Sequence, residues 1–438
     1  MGYFHNLEDI WCDYLTWLAL AKERGNVTTS FEKKAIKFIS KEKRRLLKKV
    51  KIFTPKEPDS LEEIKKLRPS GPRCLIEKID KKRLSNQILG AWLGRAAGCI
   101  LGIPCEGMSK DEIRFACFNH KLPYPLRSYW KMDPKNISPD NLHYQTTPRK
   151  HFLEPYLSYV GADDDLAYTI LGLLLLEEKG IDFTTKDVAS FWLKYLPFAC
   201  TAEEIALGNL KKGVSPYLAG ELNNPYMDWI GADIRSDPWA YGAPGWPEKA
   251  AEMAFRDAFL THRGTGIHAA MFFSAAISAA FVCDHPMEAI RIGLTEIPKN
   301  CRLAVVIRQT IKWCEKDNDW NKTTDRILEF FKGMNVAHSL NNAALTIAGI
   351  FYGKGDFTKT ISLTVMGGFD TDCTGATAGS LLGAIIGADN IPEYWKKPLG
   401  EKVETYLVGH RMFRLKNIAQ RFTKLALDAL RKSKHNTK

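Results

Sequence analysis

Apolar positions along the chain recur at three- and four-residue spacing almost throughout, the period of helices that bury one face. In residues 3–24, Leu7, Ile10, Trp11, Tyr14, Leu15 and Leu18 share a face, and Gly25 ends the pattern. A second run, Thr29 to Lys51, sets Phe31, Ala35, Ile36, Phe38, Ile39, Leu46 and Leu47 against lysines and arginines. Proline and charge take over between Phe53 and Ser60, which reads as a connector. Asp59 and Ser60 then cap a short helix, Leu61 to Leu67, stopped by Arg68-Pro-Ser-Gly-Pro72. The main body opens at about Asp80. Lys82 to Cys99 carries Gly90, Gly94 and Gly98 on one stripe, a spacing that predicts two helices in close contact. Asn119 to Glu154, rich in Pro, Tyr, Asn and Asp, predicts an irregular loop that covers or lines a site. Beyond it helix follows helix as far as Phe422. No alternating strand pattern or fixed-period repeat is read, so the predicted class is all-α.

Two of these helical runs open on acids. Gly161 to Glu177 begins with Asp163, Asp164 and Asp165, and Met366 to Gly387 begins with Asp370 and Asp372 among glycines. An isolated ionised carboxylate beside a core costs several kcal/mol or takes up a proton. A helix N-terminus offsets about half a charge, which is too little for three. Plain N-capping and first-turn acids are the bland reading of each cluster taken alone. Brought together, five carboxylates call for hard divalent cations that take oxygen ligands: Mg²⁺, Mn²⁺ or Ca²⁺.

Three further places bear on chemistry. Glu106 sits in a Gly- and Pro-rich loop directly after the glycine-striped helix. Gly231 to Pro247 reads as a non-helical loop whose Trp239, Tyr241, Trp246 and Arg235 offer stacking surfaces and a charge fork suited to a nucleotide, or simply a well-packed loop. His262 lies in a glycine-bounded break between helices, placed either for a ligand or for a local carbonyl.

Composition narrows the class. The 438 residues suffice for a large core, and 45% hydrophobic with 26% charged residues describe a globular chain. The net charge of +12 is concentrated between Lys33 and Lys51 and in a tail with Arg431, Lys432, Lys434 and Lys438, so nucleic acid is not the expected partner. Ten cysteines without CxxC pairs, Cys99 and Cys373 among small residues, favour a reducing compartment. No leader is read, and the longest apolar runs, Thr169 to Leu176 and Ala269 to Val282, are too short or mixed to cross a bilayer. The expectation is a cytoplasmic protein with no membrane partner.

Taken in order, GAWLGRAAGCILGIPCEG, GADDDLAYT, GADIRSDPWAYGAPGWPEKAA followed by THRGTG, and GGFDTDCTGATAGSLLGAIIG followed by IPEYW resemble the ADP-ribosylglycohydrolase family. The resemblance spans roughly Lys82 to Trp395. It implies a compact all-α catalytic domain over 81–438, after a basic helical extension over 1–80, with a dinuclear metal cleft. The implied activity is hydrolysis of the glycosidic bond between ADP-ribose and a protein side chain or small conjugate. Two Mg²⁺ ions are implied, and Mn²⁺ also fits. The implied ligands are Asp163, Asp164, Asp165, Asp370, Asp372 and Cys373, with Glu106, Asp164 and Asp372 in catalytic roles. Arg235, Asp237, Trp239, Tyr241, His262, Gly367 and Gly368 are the implied substrate contacts. The family often has Thr-Asp-Asp-Thr where this chain has Ala-Asp-Asp-Asp-Leu, leaving registers 162–164 and 163–165; the second supplies three oxygen ligands. The family also often has Asp-Thr-Asp-Thr where this chain has Cys373, a poor Mg²⁺ ligand. Hydrolysis of another ribosyl or nucleoside bond, or ADP-ribose binding without turnover, are the alternatives on the same residues.

Overall fold

The computed structural model describes residues 29–47, 57–76 and 80–436, together with Tyr14, Leu18, Ala21 and Lys22, which are helical. The rest of the predicted helix over 3–24, and the connector as far as Lys56, lie outside the described residues. Two compact units are present, Met1–Lys56 and Glu57–Lys438. The first contains helix α1 (Thr29–Leu47).

The second unit is helical. It comprises α2 (Leu61–Leu67), α3 (Lys81–Gly102), α4 (Lys110–Asn119), α5 (Asp164–Lys179), α6 (Thr185–Tyr195), α7 (Thr201–Lys211), α8 (Pro216–Ala219), α9 (Asp237–Gly242), α10 (Pro247–Ala258) and α11 (Thr265–Ala280). It continues through α12 (Pro286–Gly293), α13 (Arg302–Asp317), α14 (Trp320–Phe330), α15 (Ser339–Gly353), α16 (Phe357–Val365), α17 (Thr371–Ile386), α18 (Glu393–Lys396) and α19 (Leu415–Asn436). The strands that the sequence pattern did not predict are two short antiparallel pairs, β1 (Leu142–His143) with β2 (Thr147–Pro148) and β3 (Lys402–Glu404) with β4 (Met412–Arg414). At two or three residues each, they are too short to display an alternation.

At the centre lie α3 and α17, antiparallel and almost touching. Gly90 faces the Gly383 carbonyl, Gly94 that of Gly379, and Gly98 that of Gly375. A β-carbon at Gly94 would lie 2.7 Å from the Gly379 carbonyl carbon, so only glycine lets the two backbones come so near. The stretch Lys81–Cys105 is long and apolar enough for a membrane span by composition, yet 89% of its most apolar 18-residue window is buried inside the protein. It is a core helix. The register puts Gly102 against the backbone of Thr371 and Asp372, so the loop after α3 meets the N-terminus of α17.

Residues 57–76, assigned from sequence to the extension, belong to the second unit, which begins at Glu57 rather than near residue 80. The buried Glu296 explains why: it is neutralised by Arg68 at 2.6 Å and Arg73 at 2.8 Å, which tie the segment to the turn after α12. Ser60 caps α2 as expected, accepting from Glu63 N at 3.2 Å, while Asp59 accepts from Gly264 N instead.

Candidate metal centre and active site

Both acid clusters open helices, and the fold brings those openings together. Asp163 is the N-cap of α5: its Oδ1 accepts from Asp165 N at 3.0 Å and from the Cys99 thiol at 3.3 Å, and its Oδ2 lies 3.0 Å from His143 Nε2. Asp165 is fully buried. Its Oδ1 meets Arg95 Nη2 at 3.0 Å, and its Oδ2 has no partner. From α17, Asp370 Oδ1 and Asp372 Oδ1 are likewise buried and without a partner. Donor atoms of Asp165, Asp372 and Cys373 lie within 4.8 Å of one another, as do those of Asp163, Asp164 and Asp165. A cation with oxygen ligands at about 2.0–2.6 Å spans donors up to about 5 Å apart. Asp165 is therefore common to both groups, and the two clusters can share an ion.

Glu106 reaches the same place through backbone pairing. Gly107 N donates to Phe369 O at 2.7 Å and Phe369 N to Met108 O at 2.9 Å, which staples the loop after α3 to the segment before α17. A cavity of about 160 Å³ results, lined by Glu106, Tyr144, Asp164, Cys200, Glu203, Trp229, Asp370, Asp372 and Cys373 among others. A larger groove, about 790 Å³, lies at the other end of the α3–α17 pair beside Leu89, Leu93 and Ala388 and includes none of these groups.

Electrostatics expose how unbalanced the cluster is without a cation. Burial first, then the Glu106 charge, pushes Asp370 up to about 7. Burial also drives Asp164, Asp165 and Asp372 well above the usual carboxylate range, reinforced at Asp164 by Asp163 and at Asp372 by Glu106, and opposed at Asp165 by Arg95. Arg95 supplies a compensating charge in direct contact: it also donates to the Asp165 carbonyl at 2.8 Å, to Thr169 Oγ1 at 2.9 Å and to Asp237 Oδ2 at 2.6 Å. Converging hard oxygens, three of them unpartnered and buried, fit a divalent cation.

The predicted substrate contacts lie elsewhere. Ile230–Arg235 is a buried 3₁₀ turn running into α9, started by Pro238, rather than an open loop; Ile230 and Ile234 line the cavity while Arg235 is turned into the core. Arg235 spends its donors internally, on Asp257 (2.7 Å), Thr261 (2.8 Å), Gly231 O (2.8 Å) and Glu203, so it braces the Glu203 wall of the cavity. Asp237 is held by Arg95 and by Tyr241, whose hydroxyl also meets Ser380 at 2.7 Å. Trp239 packs on Phe183, and His262 is buried with Nδ1 2.6 Å from Thr261 Oγ1. Gly368, at φ +87°, is pressed against Met108 O and serves the staple, and Gly367 lies near Thr364 O and Leu345. Sequence reasoning missed His143, Tyr144, Glu203 and Arg95. Only Arg95 carried a signal, as a lone charge inside an apolar, glycine-striped helix.

The arrangement defines a class: an all-helical hydrolase whose cleft gathers carboxylates from two helix N-termini. A sequence model of the family described as ADP-ribosylglycohydrolase matches residues 80–432, and the chain belongs to that family. It is 24% identical over 327 residues, covering 73% of this chain and 92% of the relative, to the ADP-ribosyl-(dinitrogen reductase) glycohydrolase of Rhodospirillum rubrum. A solved structure titled ADP-ribosylglycohydrolase-related protein complex superposes with a TM-score of 0.54 at 20% identity, covering 79% of this chain and 99% of that one, which supports the fold. Membership makes the chain a glycosidase acting on ADP-ribose linkages.

Proposed function

We propose that the chain is a divalent-metal-dependent hydrolase, cytoplasmic, that releases ADP-ribose from a modified protein side chain or a small conjugate. One observation carries this reading: Asp165 and Asp372, far apart in sequence, bring donor atoms within 4.8 Å of each other with partnerless buried oxygens on both. Asp164, Asp165, Asp370 and Asp372 would hold the ions; these four carboxylates taken by themselves suit Mg²⁺ and Mn²⁺. Bound there, divalent cations supply positive charge that balances the carboxylates and draws in the ribose hydroxyls. His143 and Cys99 fix Asp163 at the mouth of α5, and Arg95 fixes Asp165 below it. Glu106, partly exposed at the cavity, would take a proton from the attacking water as the new C1–O bond forms. The bond from C1 to the acceptor would break through an oxocarbenium-like state, and the proton taken from water would pass from Glu106 to the departing acceptor.

Incubation with arginine-linked, serine-linked and O-acetyl ADP-ribose, with Mg²⁺ and with EDTA, tests this. Free ADP-ribose detected by mass, metal-dependent and lost with EDTA, is the expected result; none from any substrate refutes the proposal. A second reading, cleavage of a smaller ribosyl or nucleoside bond, draws on the enclosed volume. At about 160 Å³ it falls below the ~300–1,000 Å³ typical of small-ligand pockets. Turnover of nucleosides without action on ADP-ribosylated peptides would select that reading.

A further inference from the structure

We infer that Cys373 is a sulfur ligand of the metal centre, and that the centre consequently prefers a borderline first-row divalent ion, of the Zn²⁺ or Fe²⁺ kind, to Mg²⁺. The inference rests on reading the acid cluster as a metal centre and is independent of which bond is cleaved.

Three observations meet at this thiol. Its sulfur belongs to the one described donor group that joins the two helix mouths, with Asp165 from α5 and Asp372 from α17, all three buried. It faces the cavity alongside Glu106, Asp370 and Asp372, whereas a cysteine used only as a small core filler would be turned into the helix packing. Its carboxylate neighbours carry the partnerless oxygens Asp165 Oδ2 and Asp372 Oδ1, so the group converges on a point that no protein donor satisfies. Cys99 provides the contrast. Its thiol donates to Asp163 Oδ1 alone and it is not part of that three-donor group.

A cation bound at that point would convert the thiol to a thiolate, because a coordinating thiol is deprotonated outright. The step conserves charge and atoms: the S–H bond is exchanged for a sulfur–metal bond and one proton passes to solvent. Ion choice follows from ligand softness. Oxygen-only sets suit Mg²⁺, Ca²⁺ and Mn²⁺, while thiolate selects Zn²⁺ and its soft or borderline neighbours, and the affinity order among first-row ions adds to that preference.

The test uses the full chain stripped with EDTA and titrated with Co²⁺, Zn²⁺, Mn²⁺ and Mg²⁺. Cobalt-loaded protein should develop a sulfur-to-cobalt charge-transfer band in the near ultraviolet that is missing from Cys373→Ser and Cys373→Thr. Calorimetry in buffers of different ionisation enthalpy should show wild type releasing about one proton more per Zn²⁺ than Cys373→Ser. Zn²⁺ and Co²⁺ affinity should fall at least about tenfold in Cys373→Thr, with Mg²⁺ affinity unchanged or higher. Calorimetric cobalt binding without the band, a band that persists in Cys373→Ser, or tighter binding of Mg²⁺ than Zn²⁺ by wild type overturns the inference. Should Cys373→Thr not fold, the wild-type cobalt spectrum and proton release still decide. ADP-ribose release is read separately. A band without turnover of any ADP-ribosyl substrate would sink the proposed function alone, and Mg²⁺-supported turnover without a band would sink this inference alone.

Discussion

Replacing Gly375 by alanine would place a methyl group 2.6 Å from the Gly98 carbonyl oxygen and 2.7 Å from Val365 Cγ2. Ordinary contact begins at 3.4 Å, so α3 and α17 would have to part by about 0.8 Å at this point. Overpacking of this kind costs about 1–3 kcal/mol, and alanine returns about 1 kcal/mol through its better helix propensity. The obstruction on α3 is backbone, which cannot swing aside as a side chain does. A net loss of about 1–2 kcal/mol is therefore expected. Asp372 lies one turn before Gly375 on the same helix, so the displacement also reaches the metal centre. A shift near 1 Å there costs on the order of 100-fold in turnover. Urea unfolding followed by circular dichroism, calorimetric metal binding and ADP-ribose release measure the three effects. Gly208→Ala is the internal control: it sits inside α7 with nothing near its would-be β-carbon, and should gain about 0.5–1 kcal/mol. If Gly375→Ala behaves like that control, with metal binding intact, the close approach of the two helices does not position the site.

Asp372→Ala should abolish turnover while leaving the metal-free protein as stable as wild type or more so, since it removes a buried carboxyl that burial and Glu106 already disfavour as an anion; retained turnover contradicts the ligand assignment. Arg95→Met should cost about 3–5 kcal/mol in urea unfolding, because Asp165 and Asp237 are left buried without their partner; a loss under about 1 kcal/mol would refute the clamp. Glu57 and His268, 3.3 Å apart, anchor the start of the second unit, with Glu57 also accepting from Arg302 N. Burial opposes the charge on His268, but Cys301 and Glu57 push it up to about 10, so its stabilisation is full below about 6.5 and lost as pH rises through about 10. Burial alone would raise Glu57, yet its bonds to His268 and Arg302 bring it below its usual value, and its contribution fades as pH falls through that lowered value. The stability difference between wild type and Glu57→Gln should thus be largest and flat between about pH 4.5 and 6.5 and shrink on either side, and a difference that does not vary with pH would rule the pair out.

Much of the scaffold was legible before folding because its causes are local. Four-residue glycine spacing from Gly90 to Gly98 announced a close helix contact, and the acids at 163–165 and 370–372 announced helix openings that need a counter-charge. The run Gly231–Pro247 misled for an equally physical reason. Arg, Asp, Trp and Tyr in a proline- and glycine-rich stretch have the composition of a binding loop, and equally of a buried turn whose polar groups satisfy one another. Arg235 with Glu203 and Asp257, and Asp237 with Arg95, are pairings between distant segments that no spacing encodes.

By itself the sequence determined the helical class, the family motifs and which acids open the two helices, since periodicity, capping and charge act over a few residues. Only the tertiary structure decided that Asp165 and Asp372 converge, that Glu106 is stapled beside them and that Arg235 faces inward. Those outcomes depend on the register in which α3 and α17 meet, and that register is set by packing between residues hundreds of positions apart.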